Sequence, residues 1–135
     1  FGICAGAYFG CRSIQFALET EQAIEAARNL KFFLGTAIGP ALGNTFDYAS
    51  EKGAQIAKLK IQGSHTQSFS YYNGGCMFQA EAEIPGHIIA NYSDVPGEPA
   101  AIIECLVGKG KALLCGVHPE YSASQLIGAK DPHLQ

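Results

Sequence analysis

FGICAGAYFGC, residues 1–11, sets a cysteine among small residues in the pattern Gly2-Ile3-Cys4-Ala5-Gly6. A Gly-x-Cys-x-Gly run has the form of a nucleophile elbow, a strained strand-to-helix turn that lifts its central residue toward a substrate and admits only small neighbours. Buried cysteines are more commonly small hydrophobes, so the reading depends on whether the rest of the chain supplies a base. On this reading Cys4 ends a strand, residues 5–11 begin a short helix, and the domain is α/β.

The far end of the chain supplies the partner. An apolar strand signal over residues 111–117 runs into GVHPEYS, residues 116–122. Residues two apart on a strand share a face, so His118 and Glu120 project the same way. Pro119 cannot donate to a ladder and suits a strand terminus. A carboxylate beside a histidine fixes its tautomer and steadies the imidazolium, and the histidine can then draw the proton from a thiol. The pattern predicts a Cys4–His118–Glu120 triad, with the Ala5 N–H as one oxyanion donor.

Composition narrows the remaining classes. The 135 residues are 47% hydrophobic, enough for the core of one domain. Charged residues make up 16% and the net charge is −3, so no basic surface suits nucleic acid or anionic lipid, and no apolar run is long enough for a membrane span. Cysteines 4, 11, 76, 105 and 115 contain no Cys-x-x-Cys pair, and histidines 65, 87, 118 and 133 lack ligand spacing, so neither a metal nor a cofactor is expected. Free thiols in a reducing, cytoplasmic setting are the expectation. At most three residues precede Cys4, too few for the strand an elbow follows. The reading therefore expects a missing N-terminal segment, or a second chain, to complete the sheet.

Between the two motifs, residues 13–18 alternate as a strand, and residues 19–30 carry Ala23, Ile24, Ala27 and Leu30 at helical spacing, which predicts an amphipathic helix. Residues 32–46 hold three glycines and a proline and read as an irregular loop. Strands are predicted over 54–61, 68–72, 77–82, 88–92, 101–107 and 111–117, with turns at Gly108-Lys109-Gly110 and Pro96-Gly97-Glu98-Pro99.

The elbow followed by His-Pro-Glu resembles the class I glutamine amidotransferase superfamily. CAGAYFGC, LKFFLGTAIGPAL, FDYASEKGA, YYNGGCMF and VGKGKALLCGVHPEYS together resemble the N-terminal domain of biotin–protein ligases, which also occurs as standalone bacterial proteins. The resemblance implies Cys4 as nucleophile, His118 as base and Glu120 as orienting acid. It also implies a pocket lined by the motif Tyr71-Tyr72-Asn73-Gly74-Gly75, with Gly6, Tyr8, Tyr72, Asn73, Gly74 and Gly75 as substrate-binding residues. The implied fold is amidotransferase-like, a flavodoxin-like three-layer sandwich. The alternating patterns and the elbow themselves predict a mainly parallel core sheet with helices on its faces, plus antiparallel strands in the second half. Residues 1–135 would be the C-terminal portion of that domain, lacking its first strands. The Gly-rich loop that gives a second oxyanion donor has no match here. Neither does the Gly-Arg-Gly loop of a ligase catalytic domain, so biotin ligation itself is not expected.

Two functions follow. One is a cysteine hydrolase or amidotransferase acting on a small-molecule or other amide substrate. The other is a non-catalytic binding or regulatory module associated with protein biotinylation. A relation to the chaperones and proteases that share the elbow ranks last, because they lack His-x-Glu at the final strand.

Overall fold

The structure, a computed structural model, describes residues 1–83 and 86–122; His133 lies outside them. The elements in chain order are β1 (Gly2–Ile3), α1 (Ala5–Gly10), β2 (Cys11–Phe16), β3 (Ile24–Ala27), β4 (Phe33–Gly39), β5 (Ala54–Ile61), β6 (Gln67–Asn73), β7 (Met77–Ala80), β8 (Gly86–Tyr92), β9 (Ala100–Val107) and β10 (Gly110–Cys115). All ten strands join one sheet in the order β3-β2-β4-β7-β9-β8-β5-β6, with β10 on β9 and β1 on β10. Strand β7 meets β9 only at Phe78–Ala100, and β10 takes the same edge of β9 from Ile102 onward.

This is a mixed, sheet-dominated α/β domain, and it corrects the expected mainly parallel sheet with helices on its faces. Among the described residues only β1–β10 and β2–β4 pair in parallel, and the remaining pairings are antiparallel. Antiparallel neighbours need only short turns, such as the one between β9 and β10, whereas parallel ones need long crossovers. Among the described residues α1 is the single helix.

Two local expectations also change. The segment expected to be a helix, residues 19–30, forms a turn and the edge strand β3. Ala17 adopts φ 49°, Thr20 Oγ1 donates to Ala17 O at 2.8 Å and accepts from Gln22 N at 3.1 Å, and β3 then pairs with β2. A hydroxyl that bonds nearby backbone competes with helix formation. Sheet pairing decides the rest, and Leu30, expected on an apolar helix face, is exposed. The expected loop 32–46 begins instead with β4. Here Phe33, Gly35 and Ala37 alternate inward, and a Cβ on Gly35 would lie 2.4 Å from Gln79 O and against the Phe33 ring. That glycine serves close packing rather than a turn.

Strand β10 separates two cores. Ala112 and Leu114 face one, with Ala7, Tyr8, Ile14, Phe16, Phe33 and Ile103; Cys115 and, just beyond the strand, Val117 face the other, with Leu59, Tyr72, Tyr92 and Ile102. Both faces of β10 are therefore apolar, which is why its sequence reads as a continuous apolar run rather than an alternation. Each large side chain buried this way contributes roughly 1.5–3 kcal/mol.

Candidate active site

Strand β10 also positions the two ends of the chain that the sequence singled out. In the parallel β1–β10 pair Ile3 faces Cys115, and Cys4 N donates to Cys115 O at 2.9 Å. Beyond β10 the chain crosses the β6–β7 connection at Gly75 and Gly116. A Cβ on Gly75 would lie 1.6 Å from Gly116 O, and one on Gly116 would lie 1.9 Å from Cys76 O, so only glycine allows the crossing. The crossing delivers His118 to β6, where its N–H donates to Tyr71 O at 2.8 Å.

Cys4 has φ 49° and ψ −107°, a conformation that non-glycine residues rarely hold, and it stands directly before α1. Its carbonyl accepts from Ala7 N and Tyr8 N at 3.0 and 3.2 Å, which fixes the turn. The crowding is one-sided. A Cβ on Gly2 would lie 2.7 Å from Gly6 O, while one on Gly6 would meet nothing within 4 Å.

The partly exposed thiol has two partners: Asn73 O, to which it donates at 3.5 Å, and the imidazole of His118. His118 Nδ1 lies 2.7 Å from Glu120 Oε1. The contact with Cys4, followed by the bond to Glu120, raises the imidazole to about 9 against the opposing effect of partial burial. Tyr71 and Tyr121 meet the imidazole edge-on, with centroids 5.6 and 5.7 Å away. The structure thus brings Cys4, His118 and Glu120 together.

It separates the other expected residues. Ala5, the first residue of α1, has an N–H with no acceptor inside the helix, and Gly6 beside it is exposed. Tyr8 and Gly74 line a cavity next to Cys4, tied by a 3.0 Å bond from Tyr8 OH to Gly74 O. Gly74, at φ +71°, lies against the Phe46 ring. Tyr72 and Gly75 are not on the cavity wall. Tyr72 is fully buried, with its hydroxyl donating to Gly75 O at 2.9 Å and accepting from Leu42 N at 3.0 Å. Asn73 contributes its backbone carbonyl, while its side-chain Oδ1 is buried without a hydrogen-bond partner.

The cavity holds about 150 Å³ and is lined by Cys4, Ala5, Tyr8, Phe9, Ile14, Phe16, Ile24, Arg28, Phe46, Tyr48 and Gly74. Its aromatic rings meet edge-to-face: Tyr8 with Phe16, Phe16 with Phe46, and Phe46 with Tyr48 at centroid distances of 5.6, 5.4 and 4.8 Å. Burial raises the Tyr8 hydroxyl far above the usual tyrosine range, so it acts as a neutral donor.

Comparison with known proteins agrees with the motifs. The sequence model of the biotin-protein ligase N-terminal family matches residues 1–135. The chain belongs to this family. It is 38% identical over 138 aligned residues to the biotin–protein ligase of Schizosaccharomyces pombe (strain 972 / ATCC 24843), covering 96% of this chain and 22% of that protein. It is 43% identical over 121 residues to a Chlamydia muridarum (strain MoPn / Nigg) protein described as uncharacterized, covering 89% of this chain and 47% of that one. The chain thus spans about half and about a fifth of these relatives. No solved structure matches it.

Within this biotin-protein ligase N-terminal domain, sequence reasoning missed Tyr121 and most of the cavity wall. The motif offered both tyrosines, and the strand rule separates them: Tyr71 shares a face with Asn73, whereas Tyr72 points the other way. Phe9, Arg28, Phe46 and Tyr48 come from separate elements and loops, and no local spacing joins them.

Proposed function

We propose that this domain is a cysteine-dependent amide hydrolase or amidotransferase of the class I glutamine amidotransferase type, with Cys4, His118 and Glu120 as its triad. One observation carries the reading: a cysteine held at positive φ on a strand-to-helix turn, in contact with a histidine whose Nδ1 is held by a carboxylate at 2.7 Å. The parallel β1–β10 pair that leads to this turn also suits the amidotransferase-like fold. Most of the sheet is antiparallel, so the likeness concerns the site's supporting strands.

The chemistry follows from the groups present. The thiol proton rests on the His118 imidazolium, and Cys4 Sγ attacks the carboxamide carbon. The oxygen of the tetrahedral intermediate takes the negative charge and accepts from Ala5 N–H. Collapse breaks the C–N bond, and the proton on His118 leaves with ammonia or an amine. The remaining thioester is cleaved by water, which gives a proton to His118 and regenerates the thiol and an acid. In an amidotransferase the released ammonia passes to an acceptor. Glu120 holds the imidazole's tautomer and steadies its charged form.

The test is to incubate the protein with primary carboxamides, measure ammonia, and look for acyl-Cys4 by mass spectrometry after acid quench. Cys4→Ala should abolish both signals. His118→Ala should cost nearly as much, because triad members act as a unit, and Glu120→Gln should cost less. A Cys4→Ala protein indistinguishable from wild type would reject the enzyme and favour the regulatory module.

A further inference from the structure

We propose that Arg28 and the aromatic cavity form a recognition subsite for a ligand carrying both a ring-sized apolar group and a carboxylate. This deepens the amidase reading, on which it rests, by naming the substrate class: an amide whose acyl part bears those two groups. Free glutamine is a poor match, because it has no apolar group for this wall.

Arg28 follows directly after the edge strand β3, and its backbone N–H donates to Arg12 O at 2.8 Å. The side chain then turns to line the cavity, with its guanidinium carbon 5.1 Å from the centre of the Phe9 ring. One terminal nitrogen donates to Ala27 O at 3.2 Å, and Nε is buried without a hydrogen-bond partner. Among the described residues no carboxylate pairs with it. The neighbouring Arg12 is ion-paired with Glu81. An arginine cannot shed its charge, and withdrawing a donor from water without a partner is costly. A guanidinium in this position suits a carboxylate, which its planar fork binds through two hydrogen bonds.

The apolar part of the ligand follows from the walls. An apolar cavity of roughly 150 Å³ is enough to hold a benzene ring, and this one is about that size. Phe46 already packs edge-to-face against both Phe16 and Tyr48, the arrangement an incoming ring would continue. Cys4 and Ala5 share the cavity with Arg28, so a ligand anchored at the arginine lies beside the thiol.

The test measures binding without catalysis, using the Cys4→Ala protein, by titration calorimetry with 3-phenylpropanoate and its neutral counterpart 3-phenylpropanamide. The carboxylate should bind at least about tenfold more tightly than the amide, and Arg28→Gln should erase that difference. Equal affinities with Arg28 intact, or no binding of either compound, would overturn the proposal without needing any Arg28 variant. Failure of the amidase reading shows separately, as absence of acyl-Cys4 in the wild-type protein despite carboxylate binding to the Cys4→Ala form.

Discussion

Cys4 N–H donates to the carbonyl of Cys115 at 2.9 Å, so the strand that ends three residues before His118 also holds the turn carrying the thiol. The spacing of thiol and imidazole is thereby set by backbone rather than by side-chain choice. The two glycines around Cys4 play different parts in this. Gly2→Ala drives a Cβ into Gly6 O and should destabilise the fold by about 1–3 kcal/mol, as overpacking does. Gly6 is a helical residue with open space at its Cβ position, so Gly6→Ala should be neutral or stabilise by up to about 1 kcal/mol. Denaturant unfolding of the two variants checks the contrast, and equal losses would contradict it.

Thiol labelling should be selective. Cys4 is partly exposed, whereas the other four cysteines are buried. Burial pushes Cys11 up to about 12, Cys105 and Cys115 to about 11, and Cys76 well above the ordinary range. Mild iodoacetamide treatment of the folded protein near neutral pH should modify Cys4 alone, as read by peptide mass spectrometry. Substantial modification of Cys76 under native conditions would contradict the packing described above.

The elbow and the His-x-Glu pair were legible because both are local: a turn's small residues and a strand's two-residue period survive in the sequence. The sheet's composition was not. Residues 19–30 have helical spacing, yet Thr20 bonds back to Ala17 and β2 offers an edge, so tertiary pairing overrides a weak local preference. In residues 32–46 the glycine signal pointed to a loop, but Gly35 is a glycine because Gln79 O and the Phe33 ring leave no room for a side chain. Of the pocket motif, Tyr72 turns into the core and Gly75 serves the chain crossing, so neither is on the cavity wall.

The stability that His118 contributes should depend on pH in a defined sense. Its folded-state value, about 9, lies above the roughly 6.5 of an unfolded chain. The folded protein therefore binds that proton more tightly. The contribution is fully present below about pH 6.5 and is lost as pH rises through 9. The difference in Tm between wild type and His118→Gln should be largest near pH 6 and shrink as pH passes about 9. A difference that grows across this range would have the wrong sign for an imidazolium held by Cys4 and Glu120.

Tyr71 and Tyr72, adjacent in sequence, should separate function from stability. Tyr72→Phe removes the acceptor of Leu42 N and one donor to Gly75 O inside the core, so it should cost about 1–3 kcal/mol. Gly75 O keeps its 2.9 Å bond from Ala41 N, which places the expectation toward the lower end of that range. Tyr71 is only partly buried, and its ring meets His118 at 5.6 Å and Tyr121 at 4.8 Å. Tyr71→Ala should leave the global unfolding free energy nearly unchanged, because its backbone bond to His118 N is retained. It should nevertheless slow Cys4 alkylation and move the pH profile of that reaction, because the imidazole loses a wall that orients it. Unfolding curves and pH–rate profiles for both variants decide the matter. If Tyr72→Phe moves the pH profile while Tyr71→Ala only destabilises the fold, the assignment of β6 faces to site and core is reversed.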